Sequence, residues 1–429
     1  MQDPHVIIIG AGAAGLMAAR TLAKAGLKVS ILEGRDRIGG RICTLEESIF
    51  SFPAEAGAEF IHGDLPVTMK LLKEAGITYF STEGKMWNAR NGILSQGQNF
   101  VEGWPLVKEK MKELSIDLSI EDFLGKYFSG DQYIPLRKSL TGFVEGYDAA
   151  DPKRASTFAL REEWLSENDA KQYKIEGGYQ NLINYLAKEC IDAGVKIHLN
   201  AFVKEIAWEQ NQVGAKTQDA IFNGLKLLLT VPLGVLQAGT ISFLPDLPQK
   251  MEAANKVGFG SVIKILLGFK NKFWEDVRDK DGNNLKHLGF LFSGELVPTW
   301  WTQYPNDTAM LTGWFAGPKA KRFKTYSDGK LLDEALNSLT GIFNIKAETL
   351  RGQLNSHRII NWSADPFSLG AYGYATVETP EARKILAGPV ANTLYFGGEA
   401  LYAGAEMGTV EAALANGEQV GNEILKNFQ

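Results

Sequence analysis

Near the N-terminus, the stretch "HVIIIGAGAAGLMAARTLAKAGLKVSILE" leaves the chain few ways to fold. An apolar run of strand length, HVIIIGA, meets a glycine turn. The next segment, AGLMAARTLAKAG, has helical spacing, and a second apolar run, KVSILE, ends at Glu33. Order and length match one βαβ unit over residues 5 to 33, so the chain is expected to be α/β with a Rossmann-type sheet.

The turn itself, GAGAAG from Gly10 to Gly15, satisfies GxGxxG between a strand and a helix. Gly10 permits the tight turn, Gly12 lets a pyrophosphate approach the backbone and the helix N-terminus, and Gly15 lets helix and strand pack closely. Glu33 at the end of the second strand suits ribose hydroxyls and would repel the extra phosphate of NADP(H), which leaves FAD or NAD(H). A glycine turn without a ligand is the bland alternative. The continuation EGRDRIGGRICT adds two glycines and Arg41, more amides and a cation for phosphate.

At 429 residues the chain exceeds one ordinary core. A net charge of −5 argues against a nucleic-acid binder and fits loosely with a cationic small molecule. Two cysteines, Cys43 and Cys190, form no framework, and the five histidines have no ligand spacing, so free thiols and no metal are expected. The first strand starts too early for a leader peptide, and no run reaches the roughly 18 to 20 apolar residues of a membrane span. A cytoplasmic protein is the resulting expectation; oligomeric state has no signal.

Residues 65 to Asp169 read as helical, with PVTMKLLKEAGI, PLVKEKMKELSI and SIEDFLGKYF. The αβ character returns with YQNLINYLAKECIDAG, VKIHLN, FVKEIAWE and LKLLLTVP, the last a continuous apolar strand suited to a sheet covered on both faces. Residues 246 to 387 mix strands such as VIKILLGF and LGFLFSG with the helix SDGKLLDEALNSLTGIF, and the end is strand TLYFGGE and helix TVEAALANGEQVGNEILKNF. Two discontinuous domains are expected: 1-64, 178-245 and 388-429 for the dinucleotide, 65-177 and 246-387, of α+β character, for the substrate.

Within SVIKILLGF, Lys264 sits in a strand-like run that is apolar on both faces. Burying an unpaired ammonium is costly or drives its pKa down, so Lys264 needs a partner, a cavity or a snorkelling route. A gatekeeper on an edge strand and an active-site lysine both satisfy that demand.

The opening GAGAAGLMAARTLAKAGLKVSILEGRDRIGGR resembles that of the flavin-containing amine oxidase superfamily, which includes monoamine, polyamine and L-amino-acid oxidases and flavin-type histone lysine demethylases. GAEFIHG (Gly57 to Gly63), TVPLGVLQ, WSADPFSLGAYGY and YFGGEALYAGAEMGTVEAAL are similar to further motifs of that family. The resemblance implies FAD. Gly10, Gly12, Ala14 and Gly15 would form its phosphate cradle. Glu33 and Arg35 would lie near the ribose, and Gly40 and Arg41 near phosphate or flavin. Gly57, Ala58, Glu59 and Phe60 would run under the flavin edge, with Trp362 walling the site. Val203 would offer its backbone to adenine, Gly398 and Glu399 would hold the ribityl or pyrophosphate end, and Met407, Gly408 and Thr409 would face the flavin pyrimidine at a helix start.

By the same resemblance Lys264 reaches the reactive N5 of the flavin through a water, a cavity with water and flavin being its partner, and Tyr372 flanks the substrate amine. His62 contacts an amine or water, or is a satisfied structural histidine. Thr409 stands where monoamine and polyamine oxidases usually place a second aromatic. Histone demethylases share that threonine, but this chain lacks an insertion long enough for their helical tower. Ala371 replaces the cysteine that tethers the cofactor in monoamine oxidases, so FAD is expected to be noncovalent. The expected activity is an FAD-dependent amine oxidase using a small-molecule amine and O2. An L-amino-acid oxidase, with Arg154 or Arg161 for the substrate carboxylate, and a non-oxidase flavoprotein are the alternatives.

Overall fold

The computed structural model describes residues 6–97, 101–165 and 171–428. His5 and Asp169, which bound a predicted strand and the predicted helical region, lie outside the described residues. The βαβ unit forms as β1 (Val6–Ile9), α1 (Ala13–Lys24) and β2 (Val29–Leu32). Every residue of both strands is buried. β1 is the middle strand of a parallel sheet in the order Lys196–His198, β2, β1, Lys226–Leu229, Leu394–Phe396.

Alternation along β1 serves two cores. Val6 and Ile8 face one that contains Leu16 and Leu22 of α1, Ile183 and Leu186 of helix Gln180–Asp192, and Leu414 and Ile424 of helix Val410–Lys426. Ile7 and Ile9 face the other, with Ile206, Val213 and Phe243 from a four-stranded sheet. The C-terminal helix lies against α1 so tightly that a Cβ on Gly417 would come within 2.3 Å of the Ala14 carbonyl oxygen.

A second, seven-stranded sheet runs in the order Leu354–Asn361, Val262–Phe269, Met310–Ala316, Thr299–Thr302, Leu288–Ser293, Lys85–Arg90, Ile93–Gln96. Helix Asp328–Phe343 shares its core, capped by Ser327, which accepts from the Lys330 amide, and ended by Asn344 at φ 55°. Its last two strands correct the sequence reading, which gave residues 65 to 169 a helical character. KMWNAR and ILSQ flank Asn91-Gly92, both at positive φ (52° and 73°), with Arg90 opposite Ile93. An Asn-Gly pair in this geometry is the tight hairpin turn whose twist matches the strands it joins. Trp87 and Ala89 point into the core while Lys85 and Arg90 are exposed. The helices Trp104–Lys112, Ile120–Tyr127, Ile134–Gly146 and Thr157–Leu165 do form, around their own apolar cluster.

Lys264 lies on a strand with a neighbour on each side, opposite Trp314 and Ile360. The edge-gatekeeper reading is thereby excluded.

Candidate active site

One cavity of about 2450 Å³ touches both sheets. At one end it meets the glycine turn. Gly10 has φ +106°. A Cβ on Gly15 would lie 2.0 Å from the Gly10 carbonyl oxygen, whereas one on Gly12 would have the Gly39 oxygen at 4.0 Å as its nearest neighbour. Gly12 and Ala14 line the cavity and Gly15 does not, so Gly15 packs the unit from behind instead of touching a ligand. No side chain caps α1, which leaves its first amides directed at the cavity wall. Gly39 bridges to Gly12, and Arg37 bonds the carbonyls of Ile38, Gly40 and Ile42, bracing the second glycine pair against the first. These open glycine surfaces and unpartnered helix amides fit a dinucleotide pyrophosphate.

Glu33 is buried and oriented: its Oε2 accepts from the Ala11 amide (2.8 Å) and its Oε1 from the Arg35 amide (2.9 Å). The Arg35 side chain also lines the cavity, and its guanidinium grips both carboxylate oxygens of Asp365 (2.8 and 2.6 Å) and the Ser368 hydroxyl, because a planar fork satisfies a planar carboxylate best. Arg41 likewise donates to Glu399 Oε1 (2.7 Å) and to the Ala371 carbonyl, and Glu399 Oε2 accepts from the Gly373 amide. Arg41 and Glu399 therefore neutralise each other in the cavity wall. Val203 is buried there too, beside Phe202, which packs on Phe367. Gly40 and Gly398, both at positive φ, belong to the same wall.

Met407, Gly408 and Thr409 enter the cavity at the start of the 17-residue C-terminal helix. Thr409 is its cap: the hydroxyl accepts from the Ala412 amide and donates to the Glu406 carbonyl. This explains why a small hydroxyl residue stands there, since an aromatic would leave the helix start uncapped.

At the far end are the reactive candidates. Lys264, 1% exposed, reaches Glu59 Oε2 at 2.7 Å and the Gly57 carbonyl at 3.1 Å. Its partner in the structure is a direct carboxylate, beside the cavity that the sequence offered it, and Glu59 lines that same cavity with Gly57, Ala58 and Phe60. Glu59 Oε1 accepts from Lys174 Nζ (2.7 Å), the Trp301 indole (3.0 Å) and Gln303 (3.2 Å). Burial would raise this carboxyl, but the two ammoniums overcome it and hold it down at about 2. Burial lowers Lys174 in spite of Glu59. Gly57 has no room for a side chain, with the Arg41 carbonyl 1.7 Å from any Cβ. Ala58 and Phe60 line the cavity, and Trp362 donates to the Ala56 carbonyl.

Tyr372 stacks on Trp314 (centroids 6.4 Å, planes 19° apart) and donates to the Tyr147 carbonyl at 2.6 Å. Burial, with the charges of Asp148 and Glu163, holds its phenol well above the usual tyrosine range. The His62 ring stands edge-on to Tyr147 at 5.9 Å, and burial in the cavity wall lowers its pKa to about 4, so it is neutral at physiological pH. Arg154 and Arg161 are absent from the wall; Arg154 bonds the carbonyls of Asn255 and Lys256, and Arg161 those of Met111 and Leu114. Lys174, Trp301, Gln303 and Trp314 escaped the sequence reading. The second lysine in a strand-like QYKI was the only signal.

The family model described as "Flavin containing amine oxidoreductase" matches residues 13–100 and 88–425. Polyamine oxidase 4 of Oryza sativa subsp. japonica is 27% identical, covering 100% of this chain and 90% of that protein. Lysine-specific histone demethylase 2 of Homo sapiens is 28% identical over 93% of this chain and 51% of its own length. For lysine-specific histone demethylase 1 homolog 3 of Arabidopsis thaliana the figures are 27%, 93% and 28%, so the chain spans about half of the one demethylase and little over a quarter of the other. Wild-type putrescine oxidase bound to putrescine shares the fold at TM-score 0.80, 21% identity and 99% coverage of both chains. Cyclohexylamine oxidase from Brevibacterium oxydans IH-35A does so at TM-score 0.80, 20% identity and full coverage of both.

Proposed function

The chain belongs to the flavin containing amine oxidoreductase family, and from that premise we propose that it is an FAD-dependent amine oxidase. The observation that carries the reading is Lys264: an ammonium buried on an interior strand, in the wall of the same cavity that the glycine cradle enters. FAD, when bound, supplies the hydride acceptor, N5, for the carbon–hydrogen bond α to the amine nitrogen, and its reoxidation by dioxygen yields hydrogen peroxide. The cradle amides of α1 and the carboxylate of Glu33 hold the dinucleotide. Ala371 offers no nucleophile, which supports noncovalent binding.

Tyr372, stacked on Trp314, forms an aromatic wall that orients a neutral amine and keeps water from it. Lys264 holds a proton and organises water at the reaction end, and the imine product is hydrolysed to a carbonyl compound and amine or ammonia. Arg154 and Arg161, weighed for the carboxylate of an amino-acid substrate, are bonded to backbone carbonyls elsewhere. We also retain the two discontinuous domains as a proposal, with the parallel sheet as the centre of one and the seven-stranded sheet as the centre of the other.

The test is anaerobic bleaching of the flavin absorbance by monoamines, polyamines and L-amino acids, followed by air. Bleaching by an amine, with peroxide on reoxidation, is the expected result. Bleaching by L-amino acids alone selects the rival oxidase, and a Lys264→Met protein that keeps FAD and full turnover removes Lys264 from the mechanism.

A further inference from the structure

A second cavity, of about 240 Å³, adjoins the first at Glu59. Its rim carries the exposed Glu176, Gly177 and Asn306. Its floor is made of buried charge and amide groups: Glu55, Glu59, Lys174 and Gln303. Lys174 borders this cavity and not the large one, Lys264 borders the large one and not this, and Glu59 borders both. The contacts are continuous: Lys174 Nζ to Glu59 Oε1 and Glu59 Oε2 to Lys264 Nζ, each 2.7 Å.

Two buried lysines and one buried glutamate are an expensive way to fill a core, since replacing such a group by apolar side chains is often neutral or stabilising. Proton conduction needs just this arrangement: titratable groups at hydrogen-bond distance, in line, with water at the outer end.

We propose that Lys174, Glu59 and Lys264 form a proton relay from the solvent-facing small cavity to the reaction cavity. The inference rests on the amine-oxidase reading, in which one hydride equivalent and one proton convert dioxygen to hydrogen peroxide. The amine supplies the hydride; the relay supplies the proton. Lys264 gives up an N–H proton towards the reduced oxygen. The Lys174 N–H bond then breaks as an O–H bond forms on Glu59 Oε1. Half a turn of the Glu59 carboxyl about its terminal, two-fold torsion presents that proton to the Lys264 lone pair. Water in the small cavity reprotonates Lys174 as one of its O–H bonds breaks, and the hydroxide left takes a proton from bulk solvent. No electrons move along the chain of groups.

The groups facing Glu59 are Lys174 and Lys264, the Trp301 indole, the Gln303 amide, and, in electrostatic reach, Glu55. Glu55 is bonded to the Tyr179 amide and the Thr44 hydroxyl, and burial raises it to about 7, where it exchanges protons at physiological pH. Glu59 and Lys174 act through Lys264 and are positioning residues.

Two variants of the holoenzyme test the relay. Lys174→Met breaks it, while Asn306→Phe narrows the mouth of the small cavity and leaves all three charges in place. After anaerobic reduction by an amine, reoxidation by dioxygen is followed by stopped flow in H2O and D2O across pH. Both variants are expected to slow reoxidation, Lys174→Met on the order of 10²-fold, the low end for a positioned proton donor. They are also expected to change its pH profile and solvent isotope effect. In resting holoenzyme, NMR of ¹⁵N-tryptophan reads exchange of the Trp301 indole proton, which lies on Glu59; about tenfold slower exchange is expected in both variants. Wild-type rates, pH profile and exchange in folded Lys174→Met overturn the relay, and where that variant does not fold, the same result in Asn306→Phe does so. Failure of every amine to bleach the wild-type flavin sinks the amine-oxidase reading instead, while the exchange measurement still judges the relay.

Discussion

Glu59→Gln keeps the shape of the side chain and removes its charge. The two ammoniums at 2.7 Å, on lysines 1% and 6% exposed, then have no carboxylate. In the wild type the Glu59 carboxyl stands at about 2 against an ordinary 4.5. At about 1.4 kcal/mol per pH unit, folding favours its charged form by about 3 kcal/mol. Breaking a buried ion pair by removing one partner costs about 3–5 kcal/mol, in agreement. A loss of about 3–4 kcal/mol at neutral pH is therefore expected.

The pH dependence follows from the sign. Because the folded value lies below the unfolded one, the Glu59 contribution is complete above pH 4.5 and fades as pH falls towards 2. The gap between wild type and variant should close over that window. In the variant Lys174, already lowered by burial, falls further, so folding releases protons and stability climbs with pH on the alkaline side. Urea unfolding followed by tryptophan fluorescence at a series of pH values measures both effects. A loss below about 1 kcal/mol at neutral pH, the range of an exposed pair, together with parallel pH curves, would refute the reasoning.

Gly15→Val sets a side chain against the Gly10 carbonyl, 2.0 Å from the new Cβ; the protein should purify without flavin, and a full flavin-to-protein absorbance ratio would count against the cradle. Glu411, buried at the start of the C-terminal helix, accepts from the amides of Val67 and Thr68 and the Thr68 hydroxyl, and so caps helix Pro66–Ala75. Glu411→Ala should lower stability by about 1–2 kcal/mol, the range of a lost cap, measured by calorimetry; an unchanged melting temperature would disprove the capping role. His62 should titrate near 4 in an NMR pH series of its ring protons. Its folded value lies below the unfolded 6.5, so it costs stability only as pH falls from 6.5 towards 4, and a midpoint near 6.5 would contradict the desolvation of this half-buried ring.

The predicted elements that formed as read are those with a strong local pattern. Strand Val262–Phe269 matches VIKILLGF residue for residue, and helix Asp328–Phe343 begins after its serine cap. The Asn91-Gly92 hairpin was equally local, yet the surrounding helical periodicity masked it, and its strands needed the partner Leu288–Ser293 to become part of a sheet. In the site, Gly10, Gly12 and Glu33 were legible because the constraint on each is backbone conformation or position at a strand end. Arg35 and Arg41 were legible as cations near the cradle, but not as partners of Asp365 and Glu399, 330 and 358 residues away.

Apolar periodicity and glycine conformation act through neighbours along the chain, and they determined the βαβ unit, the cradle and the anomaly of a lysine in an apolar strand. What answers that lysine acts through space. Glu59 lies 205 residues from Lys264, 115 from Lys174 and 242 from Trp301. Charges in a medium of low dielectric are decided by which groups the fold brings within hydrogen-bond distance and how far it keeps water from them. The fold, by bringing the loop 57–60 against the strands Gln172–Ile175 and Val262–Phe269, turned an isolated carboxylate into the shared counterion of two lysines.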